Sequence, residues 1–169
     1  MNNRPKIKLQ LSSTDKTVEA IGWMIILATW ILVLVYYSKL PETIPIHYNG
    51  SGVADGFGKK INILPLPIVS TILFVGLTVL NNYPYLYNYT STISEENAYY
   101  QYTNATRLIR YMKLAIAIIF GYLVFMTIQN AKGNADGVGV LFLPFTMGLL
   151  FIPIFYFLIK SSKTPPEKL

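Results

Sequence analysis

Four apolar runs alternate with polar stretches along the 169-residue chain. They are Ala20–Tyr37, Ile61–Leu80, Leu114–Ala131 and Val138–Ile159, and none contains a charged residue. A helix crosses the ~30 Å hydrocarbon core of a bilayer with about 20 such residues. A soluble helical bundle would show polar residues on one face at helical spacing, whereas these runs are apolar all round. The pattern predicts an all-α, polytopic membrane protein with four transmembrane helices. The first run is followed by "YYSKLPE", which has no small-x-small cleavage site, so it reads as an uncleaved anchor. Pro65, Pro67 and Pro144 fall near helix starts, where the missing N–H costs little. Pro153 lies deep in the fourth run and predicts a kink.

The polar stretch after the second run predicts more than a loop. Tyr83, Tyr85, Tyr87 and Tyr89 alternate there, as tyrosines do at membrane–water interfaces. Thr92 and Glu95 have capping-box spacing, and Ala98, Tyr102, Ala105, Ile109 and Met112 recur at spacings of four and three. Gln101, Asn104 and Arg107 fall off that apolar face. One helix is expected from about Glu95 through the third run. At 1.5 Å per residue it spans roughly 55 Å, longer than the bilayer core. Its first half is expected to protrude or lie along the surface, its apolar face covered by lipid, a soluble partner or a second subunit.

Composition agrees with a membrane class: 53% of residues are hydrophobic and 13% are charged. The chain has no cysteine, which excludes thiol nucleophiles and disulfides, and its one histidine excludes a multi-histidine zinc site within a single chain. The net charge of +6 is accounted for by topology. With both termini inside, ten Lys and Arg face the cytoplasm and four face outward. The positive-inside rule then selects N-in and C-in, with basic residues available to anionic lipid and no call for nucleic acid. No cofactor and no metal site are expected.

The histidine sits in "LPETIPIHYNGSGVADGFGKK", Leu40–Lys60, on the expected outer side. Ile44, Ile46 and Tyr48 alternate with Pro45 and His47, which predicts a short extended stretch with the apolar positions resting on the span ends and His47 on the other face. Asn49-Gly50 and Asp55-Gly56 predict turns. His47 is expected to be architectural, hydrogen-bonded within its own loop to backbone carbonyls or to carboxylates such as Glu42 and Asp55. The alternative is that His47, Asn49 and Asp55 converge on a small outer pocket that takes a peptide, a lipid headgroup or a cation. "ADGFG" at Ala54–Gly58 and "ADGVG" at Ala135–Gly139 both precede an apolar run. A duplicated two-helix hairpin would produce this, and Asp-Gly pairs are also ordinary turn formers.

The stretch resembles the signature of a membrane family, the domain of unknown function 1648, which also forms the N-terminal part of SdpI-type immunity proteins. The resemblance falls on Leu40, Pro41, Pro45, His47, Asn49, Gly52, Asp55, Gly56 and Lys60. "EENAYYQY", with Glu96, Asn97, Gln101 and Tyr102, resembles the segment after the second span in related proteins. The resemblance implies a bacterial inner-membrane protein and supplies no reaction. SdpI-type proteins carry further spans and a second domain beyond the four spans seen here.

The expected organisation is a cytoplasmic segment 1–17, a signature unit 18–82, a unit 83–160 with the long helix and the fourth span, and a tail 161–169. Three function classes are compatible with it. One is non-enzymatic binding, sensing or immunity at the outer face, with a peptide, a lipid headgroup or a protein as partner and a homo-oligomer open. Another is a membrane enzyme with His47 as general base, oriented by Asp55 or Glu42. The last is a small transporter component, which the absence of charge within the runs disfavours.

Overall fold

The computed structural model describes residues 4–162. Helix α1, Ser13–Tyr36, begins where Ser12 and Asp15 form a reciprocal capping box. It ends in a 3₁₀ turn, Tyr37–Lys39, and a two-stranded antiparallel hairpin comes next, β1 Thr43–Tyr48 and β2 Ala54–Lys59. A second 3₁₀ turn leads into α2, Pro65–Leu80, with Pro65 at its first position, where its missing N–H and preset φ suit a helix start. Helix α3 spans Ala98–Ala131, and α4 spans Phe142–Ser161 with Pro153 in its interior. All four helices are long and apolar enough to cross a membrane. The architecture is that of a multi-pass membrane protein with a small sheet between its first two helices.

Three boundaries differ from the sequence pattern. The long helix starts at Ala98 rather than near Glu95. Ser94 and Asn97, not Thr92 and Glu95, exchange the reciprocal side-chain bonds at its head, and Glu95 and Glu96 lie in the turn between them. The fourth helix starts at Phe142 rather than Val138, because the Val138 N–H is taken by Gly52 O at 2.7 Å and Gly139 sits at φ +85. Ile46 is 50% exposed instead of resting on the span ends. A register shift between Pro45 and His47 breaks the alternation that would have turned it inward.

Helix α3 is the axis of the bundle, and α1, α2 and α4 all pack on it. One stripe of α3 meets the interior: Tyr102, Thr106, Arg110, Lys113, Ala117, Val124 and Ile128, at spacings of three, four and seven. The stripe changes character along its length. At the hairpin end, Val124 and Ile128 join Val33, Leu40, Ile44 and Ile63 in an apolar cluster. Midway, Ala117 meets Ile26 and Phe74. Towards the chain termini, Lys113 and Arg110 are buried among polar partners. The side chains facing away from α3 are largely exposed and apolar, Leu27, Leu34, Ile72 and Phe155 among them, as lipid-facing surfaces are.

The head of α3 is covered by the chain itself. Ala98 and Tyr102 are fully buried, and the Tyr102 ring lies 5.6 Å from that of Tyr89. Gln101 donates to Ser161 O, and Tyr100 donates to Lys160 O at the end of α4. Gln101 and Asn104, expected off the covered face, are 4% and 2% exposed, whereas Ala105, Ile109 and Met112 are only partly covered. The tyrosine stretch closes over this end. Tyr87 donates to Leu80 O at 2.9 Å, and burial pushes its phenol up to about 12.

Candidate functional site

The hairpin that carries the histidine is fixed at several points. Asn49 Oδ1 accepts from Ser51 N and Val53 N, so the amide of Asn49 is spent on its own turn. Gly52 sits at φ +78 with its α-carbon against the backbone of Gly139, a position that a side chain could occupy only with strain and a clash. Its carbonyl receives the Val138 N–H, and Val53 bridges Gly137. The turn just before the first Ala-Asp-Gly stretch, Gly52 and Val53, is therefore in contact with the second stretch at one end of the bundle. The two stretches differ in form: the first is strand β2, the second an irregular loop before α4. Below the turn, the Tyr48 hydroxyl lies 3.1 Å from Thr127 Oγ1 of α3. Burial pushes the Tyr48 phenol up, partly offset by the bond to Thr127.

On this frame His47 faces solvent with its side chain 70% exposed, and its Nδ1 lies 2.5 Å from Asp55 Oδ1 across the sheet. Gly56 is the cross-strand partner of His47, and a Cβ there would stand 2.8 Å from that of His47, so the imidazole depends on a residue without one. With Nδ1 engaged by the carboxylate, Nε2 is the ring nitrogen left for another partner. Ile46, Val53 and Phe57, all about half exposed or more, stand on the same small hairpin. A cavity of about 270 Å³ opens beside it, lined by His47, Ile46, Asn62 and Thr127 among others. Neither Asn49 nor Asp55 lines it, so of the three residues only His47 borders this cavity.

The remaining signature residues brace the hairpin. Pro41 precedes β1 and is exposed, while Pro45 is buried opposite Phe57. A proline can sit there because a strand at a sheet edge does not need every N–H. Lys60 pairs with Glu42 at 2.8 Å and lies over the Tyr37 ring, so Glu42 is held at the base of the strands and away from His47. Among the described residues, no group of three or more His, Asp or Glu side chains is arranged to hold a metal ion. The second motif lies at the opposite end of the bundle. Gln101 and Tyr102 are buried in the head of α3, Asn97 bonds Ser94 and Thr92 O, and Glu96 is exposed.

One constellation was not singled out in the sequence. Asp15 and Glu19 of α1 face Arg107, Arg110 and Lys113 of α3. Arg107 Nε lies 3.0 Å and Arg110 Nη1 3.9 Å from Asp15 Oδ1, and Arg110 Nε lies 3.2 Å from Glu19 Oε1. Lys113 Nζ, 1% exposed, donates to Glu19 Oε2 and to Thr78 Oγ1 of α2, both at 2.6 Å, and stands 4.5 Å from the Phe74 ring centre. The signal was present as spacing: acids at i and i+4 on one helix, bases at i, i+3 and i+6 on another. It fell just outside the charge-free runs, so counting charge within the runs passed over it.

Comparison with known proteins finds a family model similar to the stretch that holds the signature. Residues 24–71 match the "Domain of unknown function (DUF1648)". An "Uncharacterized protein" of Archaeoglobus fulgidus is 33% identical over 86 residues, which make up 46% of this chain and 47% of that protein, so the match spans about half the length of this relative. No solved structure matches the chain. The matched residues are the hairpin with His47 and Asp55 and the parts of α1 and α2 that flank it, so the similarity to the DUF1648 family is confined to this part of the chain.

Proposed function

We propose that the protein is a non-enzymatic membrane receptor-like component that binds a peptide or lipid headgroup at the hairpin end, in a sensing or immunity-type role. The observation that carries this reading is the His47–Asp55 pair: an exposed imidazole held by a carboxylate across the sheet, on a hairpin that also exposes Ile46 and Phe57. Such a surface offers one ring nitrogen for a directional hydrogen bond and a small apolar footing, which suits recognition. The hairpin is assigned to the outer side and both termini to the cytoplasm, because Lys and Arg are concentrated at the terminal end. The membrane is assigned as the cell membrane. Lys163 and Lys168, which contribute to that charge count, and most of the expected tail 161–169 lie outside the described residues.

A second reading is favoured by the same pair. A carboxylate that orients an imidazole is the supporting half of an acid–base device, so His47 would be the base and Asp55, not Glu42, its orienting group. The two readings separate in a strain lacking the gene, rescued with wild type, His47→Gln or Asp55→Asn, with membrane abundance followed by immunoblot. Binding predicts partial loss of rescue in both variants at normal abundance. Complete loss at normal abundance moves the enzyme reading to first place, and full rescue by both removes the imidazole from function.

A further inference from the structure

Away from the hairpin, α1 and α4 both lean on α3 and leave a gap between them near the chain termini. A cavity of about 520 Å³ fills it, lined by Ser12, Asp15, Arg107, Pro153, Tyr156 and Lys160 among others. That is within the ~300–1,000 Å³ usual for small-molecule sites. Its walls are graded. Ser12, Asp15 and Arg107 stand at the foot of α1 and the membrane edge of α3, and Lys160 lies in the last turn of α4. Ile152 and Pro153 lie two turns deeper on α4, roughly 12 Å along the axis at 1.5 Å per residue. One end of the cavity is charged and interfacial, and the other is apolar and faces the bilayer interior.

The charged end has a cationic surplus. Asp15 is committed to Arg107 and Arg110, and Glu19 to Arg110 and Lys113. Arg107 spends Nε and Nη2 on Asp15 and Ser12, while its Nη1 has no protein partner among the described residues. Lys160 has no acidic partner among them either, and its Nζ lies over the Tyr156 ring. The spare Nη1 of Arg107 and the ammonium of Lys160 thus border a slot that deepens into apolar side chains. A soluble anion would use the first feature only. A membrane lipid with a net negative headgroup uses both, with phosphate at Arg107 and Lys160 and an acyl chain along Ile152 and Pro153.

We propose that the α1–α3–α4 cavity is a binding site for one anionic phospholipid. Native mass spectrometry of the full chain released from detergent tests it, with dioleoyl phosphatidylglycerol, dioleoyl phosphatidylcholine or inorganic phosphate added. Wild type should retain one phosphatidylglycerol, at least tenfold more tightly than phosphatidylcholine. Lys160→Gln should weaken that retention about tenfold, the scale of one charge-assisted hydrogen bond. Ile152→Trp, which leaves every charge in place, should obstruct the acyl slot and weaken it by at least as much. Equal retention of both lipids, displacement of phosphatidylglycerol by millimolar inorganic phosphate, or unchanged retention in both variants overturns the proposal. So does a protein dimer that Ile152→Trp dissolves, since the gap would then be filled by a second copy.

Discussion

Glu19 is shared by two cations, and Lys113 has one carboxylate. Removing the acid should therefore cost more than removing the base. Glu19→Gln leaves Lys113, 1% exposed, without a carboxylate and facing only neutral groups, the new amide, the Thr78 hydroxyl and the face of Phe74, and leaves Arg110 with Asp15 at 3.9 Å. Stranding a buried charge in this way costs about 3–5 kcal/mol. Lys113→Met keeps the volume and leaves Glu19 beside Arg110 at 3.2 Å. Its cost is the lost charge-assisted bonds, about 1–3 kcal/mol. The double variant should be more stable than Glu19→Gln alone, because the ammonium that lost its partner is gone. Both tryptophans report on the α1–α2 contact. Trp23 stands 4.9 Å from Phe74 between ring centres, and Trp30 Nε1 donates to Thr71 at 3.0 Å. Titration with sodium dodecyl sulfate in mixed micelles, read by tryptophan emission, gives the three stabilities. If Lys113→Met is as destabilising as Glu19→Gln, or if the double variant is the worst of the three, the shared-carboxylate account fails.

The remaining expectations are simpler. Because the chain has no cysteine, single cysteines report sidedness: Ser51→Cys and Asn134→Cys should react with an impermeant maleimide on intact cells, and Ser91→Cys and Ser162→Cys should not. Labelling at 91 without labelling at 51 would invert the assigned orientation. Gly52→Ala should destabilise the protein by at least about 1–2 kcal/mol, the cost of a left-handed residue with a Cβ. Gly50→Ala, with open space around it, should stay within about 0.5 kcal/mol of wild type in the same titration.

The spans were legible because a bilayer demands long apolar runs and nothing local can imitate four of them. The hairpin was legible in outline, from the alternation through Ile44 and Tyr48 and the Asn-Gly turn. The turn of Ile46 outward was not, because a register shift belongs to the pairing of two strands and leaves no mark in either alone. The head of α3 misled for a different reason. Gln101 and Asn104 read as an exposed polar face, yet the end of α4 and the tyrosine stretch fold over them. The His47–Asp55 contact was anticipated as a pair of residue types, but which of Glu42 and Asp55 would meet the ring required the cross-strand register. The ionic cluster needed α1 and α3 to be known neighbours before its matched spacings meant anything.

The junction of the two loops sets how the helices can move. Gly52 O holds Val138 N–H, Asn130 reaches Gly137 O, and Tyr122 reaches Val138 O, so the start of α4 is fastened to the hairpin and to α3. At the other end α1 and α4 face each other across a gap. Helix α4 is thus a lever with its fulcrum at the loop junction, and tilting displaces its far end most. For a helix of 20 residues, a tilt of about 5° carries that end roughly 2.6 Å. Whatever presses on the hairpin is felt at the opposite membrane face as a change in the width of that gap.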